Sequence, residues 1–292
     1  MAASTFAQAV EAVVNGDEAA LRALLRAEPS LVRARSSDGQ QATLLHYVAA
    51  NGVDPQRSPP NAPAIARILL EAGAEVDALA PIYDDPYNTP LCLAVTSSVP
   101  WQAGVQAKLA DVFLDHGAKI DGLTGEGGPL GCALLFGYTR AAERLAVRGA
   151  RVDNLVYAAG LGRTDLVRHL LATGTGTTVT RRQDDRAGRF SFPIPRAADA
   201  REVAMVVAAI HDRAAVVRAL ADAGVDPDCA PFCNQSPLHF AAHLGCHEVL
   251  DELLARGADL HRVDSQTGKT PLEWARDGGQ AEIAARLDRT ES

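Results

Sequence analysis

The 292-residue chain is 47% hydrophobic and 22% charged, a composition that supports a folded core and excludes an extended disordered protein. Its 28 Lys and Arg residues against 36 Asp and Glu give a net charge of −8, the opposite of what neutralising nucleic-acid phosphates requires. No apolar run approaches the roughly 20 residues of a membrane span, so we expect neither a nucleic-acid nor a membrane partner.

The beginning of the chain and its cysteine count bear on localisation. The segment before Leu21 has no basic cluster and carries Glu11 and Asp17, unlike a secretory signal. Five cysteines are an odd number, which favours reduced thiols over a disulfide framework. We therefore expect a cytoplasmic protein.

Along the chain, an apolar helical pattern recurs that ends each time at a glycine. A left-handed residue closes a helix at the least cost when it is glycine. The clearest ending is the segment 253–259, LLARGAD. The glycines that end the copies are Gly73, Gly117, Gly149, Gly174, Gly224 and Gly257.

A second pattern, Ser/Thr-Pro-Leu-His, opens the repeated unit. Ser or Thr can cap the helix that follows, and Pro suits its first position. The pattern predicts that His46 and His239 hydrogen-bond to backbone between adjacent repeats, because a buried imidazole needs such partners. The copies begin at Thr43, Thr89, Pro129, Ser236 and Thr270.

Together the two patterns resemble the ankyrin repeat, a unit of about 33 residues with two helices and a β-turn finger. The resemblance covers about residues 6–290 and implies one all-α solenoid of about eight repeats over 1–292, with irregular repeats of the bacterial type. It also implies capping repeats at 6–42 and 264–292. In this family the inner helices and the fingers line a concave groove that usually binds a protein or peptide.

Two expansions interrupt the period in the first half of the chain. Gly73 and Gly117 are 44 residues apart. The extra residues fall in a lengthened finger at 81–87 and in an expanded turn between helices at 97–104. Both segments are expected to project from the regular array.

A contraction and an insertion follow. Gly149 and Gly174 are 25 residues apart, which predicts a missing finger and a recess in the groove. The next step, to Gly224, is 50 residues and contains an insertion at 175–201 whose alternating pattern predicts a β-hairpin or lid. A recess beside a lid is the expected functional site.

Apolar, aromatic and basic side chains around this groove are the candidate binding residues. Phe232 at a fingertip and Trp101 on the expanded turn are expected to be exposed contact groups, His243 is expected on the groove face, and the arginines of the insertion could hold an acidic group. The candidates are Tyr87, Trp101, Leu135, Phe136, Tyr157, Leu161, Arg181, Arg182, Phe232 and His243.

An alternative function is a cofactor-independent enzyme on the same scaffold, such as a peptide epimerase. Thiols, carboxylates and an exposed histidine can remove and return a proton when their pKa values are tuned. Cys92 and Cys132, in successive repeats, could act as base and acid, although small buried side chains are the simpler interpretation. The candidate catalytic residues are Cys92, Cys132, Asp84, Asp85 and His211.

Metal and cofactor motifs receive no support. The cysteines and histidines from Cys229 to His247 have the spacing C-x3-C-x5-H-x6-C-H, which matches no standard zinc pattern. The sequence has no GxGxxG, P-loop, HExxH or GxSxG element. We therefore expect no metal and no cofactor.

Overall fold

Several repeats begin their first helix with proline, whose fixed φ suits that position and whose missing N–H would find no partner there. In the computed structural model the preceding residue caps the helix. The Thr270 hydroxyl accepts from the Glu273 amide, and the Glu273 carboxylate accepts from the Thr270 amide. This local chemistry starts a helix without help from distant residues.

The structure describes the backbone of residues 4–83, 85–123, 128–176 and 199–290. Within these ranges it is helical apart from one two-stranded sheet. The chain forms two compact units, the first ending at Arg151 and the second beginning at Val152.

In the first unit the described residues form four helix pairs. First helices contact first helices of the next pair, and second helices likewise contact one another. The helices are α1 (Thr5–Asn15), α2 (Glu18–Ala27), α3 (Leu44–Ala49), α4 (Ala62–Glu71), α5 (Pro90–Thr96), α6 (Ser98–Gln102), α7 (Gln106–Asp115), α8 (Gly128–Leu135) and α9 (Thr139–Val147), with a 3-10 helix at Pro29–Arg33. The short α6 is additional and lies in the turn of the third pair.

The second unit repeats this arrangement over its described ranges. Contacts run from α10 to α12, α14 and α16 in succession, and from α11 to α13 and α15. The helices are α10 (Leu155–Gly160), α11 (Thr164–Thr173), α12 (Ala200–Ile210), α13 (Ala214–Asp222), α14 (Pro237–Leu244), α15 (His247–Ala255), α16 (Pro271–Asp277) and α17 (Ala281–Thr290).

Small side chains fill the space between the pairs. In α12, residues 203–209 are all 0% exposed, and they are alanine, valine and one methionine. This helix packs between α10 and α14. Alanine and valine allow close approach, so each pair buries its apolar surface against its neighbours, as expected for a repeat array.

The predicted role of the two motif histidines is confirmed. His46 Nδ1 accepts from the Thr43 amide at 3.1 Å, and Nε2 donates to the Asn88 carbonyl at 3.3 Å. His239 Nε2 donates in the same way to the Lys269 carbonyl at 3.2 Å. Burial lowers the pKa of His46 to about 4, so its ring is neutral at pH 7.

The two expansions have structures of their own. The lengthened finger is an antiparallel hairpin of β1 (Ala80–Ile82) and β2 (Asp85–Asn88). The expanded turn is held by α6 and by Ser97, whose hydroxyl donates to the Ala50 carbonyl at 2.8 Å. Most of the predicted insertion, residues 177–198, lies outside the described residues.

Among the described helices, none is long and apolar enough to cross a membrane.

Candidate functional site

The first helices of the first unit, α1, α3, α5 and α8, lie side by side. We call the surface that they form with the β1–β2 hairpin the inner face. Cys92 on α5 and Cys132 and Leu135 on α8 are partly exposed there, whereas most of their neighbours on these helices are buried. Three of the predicted site residues therefore lie on two adjacent helices.

The hairpin is fastened to the turn that follows α3. Tyr83, directly after β1, donates a hydrogen bond of 2.8 Å from Oη to Asn51 Oδ1. A Cβ added at Gly52 would lie 2.7 Å from the Tyr83 ring, so hairpin and turn are in close contact. All residues of α3 are buried. At the second pair, the inner face therefore offers no exposed residue of α3, and the hairpin lies against the turn that follows this helix.

Backbone strain marks the same position. Tyr83 has a φ of +57°, a left-handed conformation that costs a bulky residue roughly 1 to 2 kcal/mol. The hydrogen bond from Tyr83 to Asn51 offsets that cost in part. Asn51 is itself held in place, because its Nδ2 donates to the Leu93 carbonyl and to Thr96 Oγ1. One buried amide side chain therefore holds the hairpin and α5 together.

An exposed aromatic cluster lies where α5 and α8 end. Trp101 on α6 is 53% exposed and Phe136 after α8 is 37% exposed. Tyr138 joins them, with ring centroids 5.8 Å from Trp101 and 6.3 Å from Phe136. We call Trp101, Phe136 and Tyr138 the aromatic trio. The structure thus brings together two predicted binding residues through a third that the sequence analysis missed.

The trio is unusual for a surface exposed to water. Large aromatic side chains cover much of the energetically important area in protein interfaces, where they pack into a partner. Isolated exposed apolar residues are common, but three contacting rings form a patch. The sequence did contain a signal. Phe136 and Tyr138 are separated by a single glycine, and the preceding repeat carries Trp101 in its expanded turn.

A concave site at the start of the first unit was also missed. A cavity of about 640 Å³ lies between α1, residues 36–38, Tyr47 of α3, and the turn residues Asp54 and Pro55. We call it the N-terminal cavity. Exposed positions along α1 were the available signal, but a terminal repeat normally shows such positions as a cap.

Several predicted residues are not open to structural comparison. Asp84, Arg181 and Arg182 lie outside the described residues. Asp85 and Tyr87 belong to β2, and of these two residues the structure describes the backbone alone. Their roles remain predictions, as does the recess expected beside the missing finger.

Two expectations of exposure in the second unit are wrong. Phe232 is 3% exposed because its backbone pairs with Gln235 and the turn places Cys233 and Asn234 at the tip. His211, at the end of α12, is 4% exposed, so its ring has little access to a surface-bound substrate. The geometry of the turn buries Phe232, and close helix packing buries His211.

The other predicted residues of the second unit are partly exposed. Tyr157 lies on α10, and Leu161 lies directly after that helix. His243 was expected to be a free groove histidine. Instead its Nδ1 donates to the Trp274 carbonyl at 3.1 Å, and its ring meets the Trp274 ring edge to face at 5.7 Å. His243 therefore links α14 to α16.

Two of the three thiols of the second unit, Cys229 and Cys246, are buried and poorly suited to chemistry. Burial raises the pKa of Cys246 to about 12, and burial with the nearby Glu202 carboxylate raises the pKa of Cys229 as well. Both stay protonated at neutral pH. Among the residues that the structure describes, no group of three or more His, Cys, Asp or Glu could hold a metal ion. Cys92 and Cys132 lie on two helices that contact each other, which is the one described feature that favours the epimerase alternative in these ranges.

Known families and relatives match this architecture. A family model described as ankyrin repeats (3 copies) matches two overlapping ranges, residues 155–264 and 204–288. The chain is 28% identical over 234 residues to the ankyrin repeat and KH domain-containing protein mask-1 of Caenorhabditis elegans, an alignment that covers 78% of this chain and 8% of the relative. It is 47% identical over 50 residues, 17% of its length, to protein fem-1 homolog A-like of Mus musculus, again 8% of the relative.

One solved structure aligns with nearly the whole of this chain. The human ASB11 ankyrin repeat domain superposes with a TM-score of 0.47 and 22% identity, covering 96% of this chain and 95% of that one. The chain spans less than a tenth of the length of the curated relatives named above.

Proposed function

Since this chain is an ankyrin repeat protein, we propose that it binds a segment of a partner protein on the inner face of its first unit, anchored by the aromatic trio. Repeats of this family typically mediate protein–protein interaction. The observation that carries the proposal is the exposure of Trp101 and Phe136 in a cluster with Tyr138.

The energetics favour the trio as the anchor. Burying a large apolar side chain contributes about 1.5 to 3 kcal/mol, and Trp101 and Phe136 both have surface left to bury. Tyr138 holds the two rings in place, so a partner need not order them. Few residues carry most of the affinity in a typical interface, and tryptophan and tyrosine are common among them.

The surface beside the trio could accept an extended chain. From Phe136, the partly exposed Leu135 and Cys132 continue along α8 toward Cys92 on α5. These side chains are small or apolar, and they lie on helices that contact each other. A partner segment could therefore follow α8 after its anchor has been buried against Trp101.

Affinity capture with matched variants tests this proposal. The chain is immobilised, incubated with a lysate of its source cells, and the retained proteins are quantified by mass spectrometry. The double variant W101A/F136A should lose a partner that the wild type retains, by at least tenfold, because each truncation removes an anchor side chain. Val147 on α9 is 74% exposed, so V147A is the control for a surface apolar residue outside the trio.

The outcomes are distinct. Retention by the wild type and V147A, with loss from the double variant and an unchanged melting curve, supports the proposal. Equal retention by all three proteins would place the binding surface elsewhere.

A further inference from the structure

The N-terminal cavity has an apolar floor. Phe6 and Val10 of α1 line it together with Tyr47, whose ring meets the Phe6 ring edge to face at 6.2 Å. Ala7, also on α1, leaves the entrance open because its side chain is small and exposed. A volume of about 640 Å³ is within the range of sites that enclose a side chain or a small ligand.

The rim of this cavity is acidic. Its lining includes Glu11, Asp17, Asp38 and Asp54 but no lysine or arginine. One cation contacts the lining from outside: Arg57 donates to Asn15 Oδ1 at 3.2 Å, without forming an ion pair with the four carboxylates. None of the four carboxylates forms an ion pair with a residue in the described ranges. Elsewhere in the first unit, Asp111 is paired with two arginines and Asp115 with one.

The four carboxylates differ in how firmly they are held. Asp17 caps α2 by accepting from the Ala20 amide, and Asp38 accepts from the Ser36 hydroxyl and from a backbone amide. Glu11 accepts a hydrogen bond from the Asn15 side chain, four residues along α1. Asp54 lies on the turn after α3, across the cavity from α1. Glu11 and Asp54 are therefore the carboxylates that can be neutralised without removing a cap or a turn contact.

We propose that the N-terminal cavity binds an arginine or lysine side chain presented by a partner protein, as a second site independent of the aromatic trio. The aliphatic stem would pack on Phe6 and Tyr47, and the charged head would meet Glu11 and Asp54. Long cationic side chains combine an apolar stem with a charged end, which matches a floor and a rim of these two characters.

Other occupants fit less well. An acidic group would face four carboxylates at short range, and a purely apolar one would remove them from water without a counter-charge. The negative charge of the rim also affects Tyr47 in the floor of the cavity. Burial raises the pKa of Tyr47, and the carboxylates of Asp38 and Asp54 raise it further. The net charge of −8 would also steer a basic segment toward the chain.

The test is an NMR titration of the full chain with the peptide acetyl-Gly-Arg-Gly-Arg-Gly-amide. Amides of residues 5–15 and 36–38 should shift in a saturable way. A peptide with citrulline in place of arginine has the same shape without the charge and should bind at least tenfold more weakly. Binding of the arginine peptide should weaken as salt is added, because the rim is exposed.

Variants separate this site from general attraction by an acidic protein. E11Q/D54N should weaken arginine-peptide binding about tenfold, and A7W should abolish it by filling the entrance without changing the charge. E71Q/E75Q removes two exposed carboxylates outside the cavity lining and should leave binding unchanged.

Two results would overturn the proposal: shifts that avoid the cavity residues, or equal weakening by E11Q/D54N and E71Q/E75Q. Because the titration uses neither the aromatic trio nor the captured partner, its failure would leave the proposed function intact. Failure of W101A/F136A to lose its partner would likewise leave this site untouched.

Discussion

Tyr83, next to the tip of the finger hairpin, donates a hydrogen bond of 2.8 Å to the side chain of Asn51, which follows α3. The two residues are 32 positions apart in the sequence. Asn51 donates in turn to the Leu93 carbonyl and to Thr96 Oγ1 on α5. This connection holds the hairpin against the turn after α3 and ties both to α5.

Removing one hydroxyl tests the connection. Y83F would leave the buried Asn51 Oδ1 without its donor, so the free energy of unfolding should fall by about 1 to 2 kcal/mol. Urea denaturation measures this, and amide exchange in β1 and β2 should accelerate.

The control is Y138F, which removes a tyrosine hydroxyl that bonds to no described residue and should change stability by less than about 0.5 kcal/mol. Equal losses in the two variants would show that the Tyr83 hydroxyl contributes no specific contact.

A pair of glycine substitutions measures how tightly the hairpin packs. Gly52 and Gly73 both have positive φ, so alanine costs roughly 1 kcal/mol at either site. At Gly52 the new Cβ would also collide with Ile82 and the Tyr83 ring, whereas at Gly73 it would meet nothing within 4 Å. G52A should therefore be less stable than G73A by a further 1 to 3 kcal/mol in thermal or urea unfolding. Equal destabilisation would mean that the hairpin moves aside freely.

Burial of His46 predicts a pH dependence. Its pKa falls from an ordinary value near 6.5 to about 4, so the unfolded chain takes up this proton at a higher pH than the folded one. The contribution to stability is complete above about pH 6.5 and is lost as the pH falls toward 4, by roughly 3 kcal/mol in total.

Urea unfolding from pH 7 to pH 4 should show this loss in the wild type. H46N, although less stable at pH 7, should show a correspondingly smaller slope, since it lacks the titrating group. Parallel curves for the two proteins would contradict the burial of a neutral His46.

The lowered pKa of Asp264 also makes the free energy of unfolding fall as the pH falls, but at a lower pH than for His46. Burial raises its pKa, but hydrogen bonds from Thr267, Trp274 and the Lys269 amide outweigh burial and hold the pKa well below its usual value. Its contribution is therefore complete above about pH 4 and is lost as the pH falls further.

D264N would turn an amide toward these donors and should cost about 2 to 3 kcal/mol at pH 7. Near pH 3 the difference from the wild type should shrink. The exposed Asp277 on α16 offers the control D277N, with an expected change below about 1 kcal/mol. A loss that does not depend on pH would assign Asp264 a packing role instead.

The recurring motif predicted the helix pairs and the backbone bond of His46, because both depend on residues at a fixed spacing within one repeat and its neighbour. Segments that occur once escaped prediction. No period indicates that residues 98–102 form a helix, that Tyr138 bridges Trp101 and Phe136, or that Tyr83 reaches Asn51. These contacts depend on how two irregular turns fold against each other.

The wrong expectation for Phe232 has a local cause. A fingertip position suggested an exposed ring, but Cys233 and Asn234 both adopt positive φ and become the tip themselves. The ring beside them turns inward and is buried. Non-glycine residues with positive φ are uncommon, so residue type gave little indication of this turn.

Fluorine NMR of the chain labelled with 5-fluorotryptophan tests the central claim most directly, because its two resonances report on Trp101 and Trp274. When the captured partner is added, the Trp101 resonance should shift and lose its solvent isotope effect, while that of Trp274 should stay unchanged. A bound partner that leaves Trp101 as exposed to water as before would contradict binding through the aromatic trio.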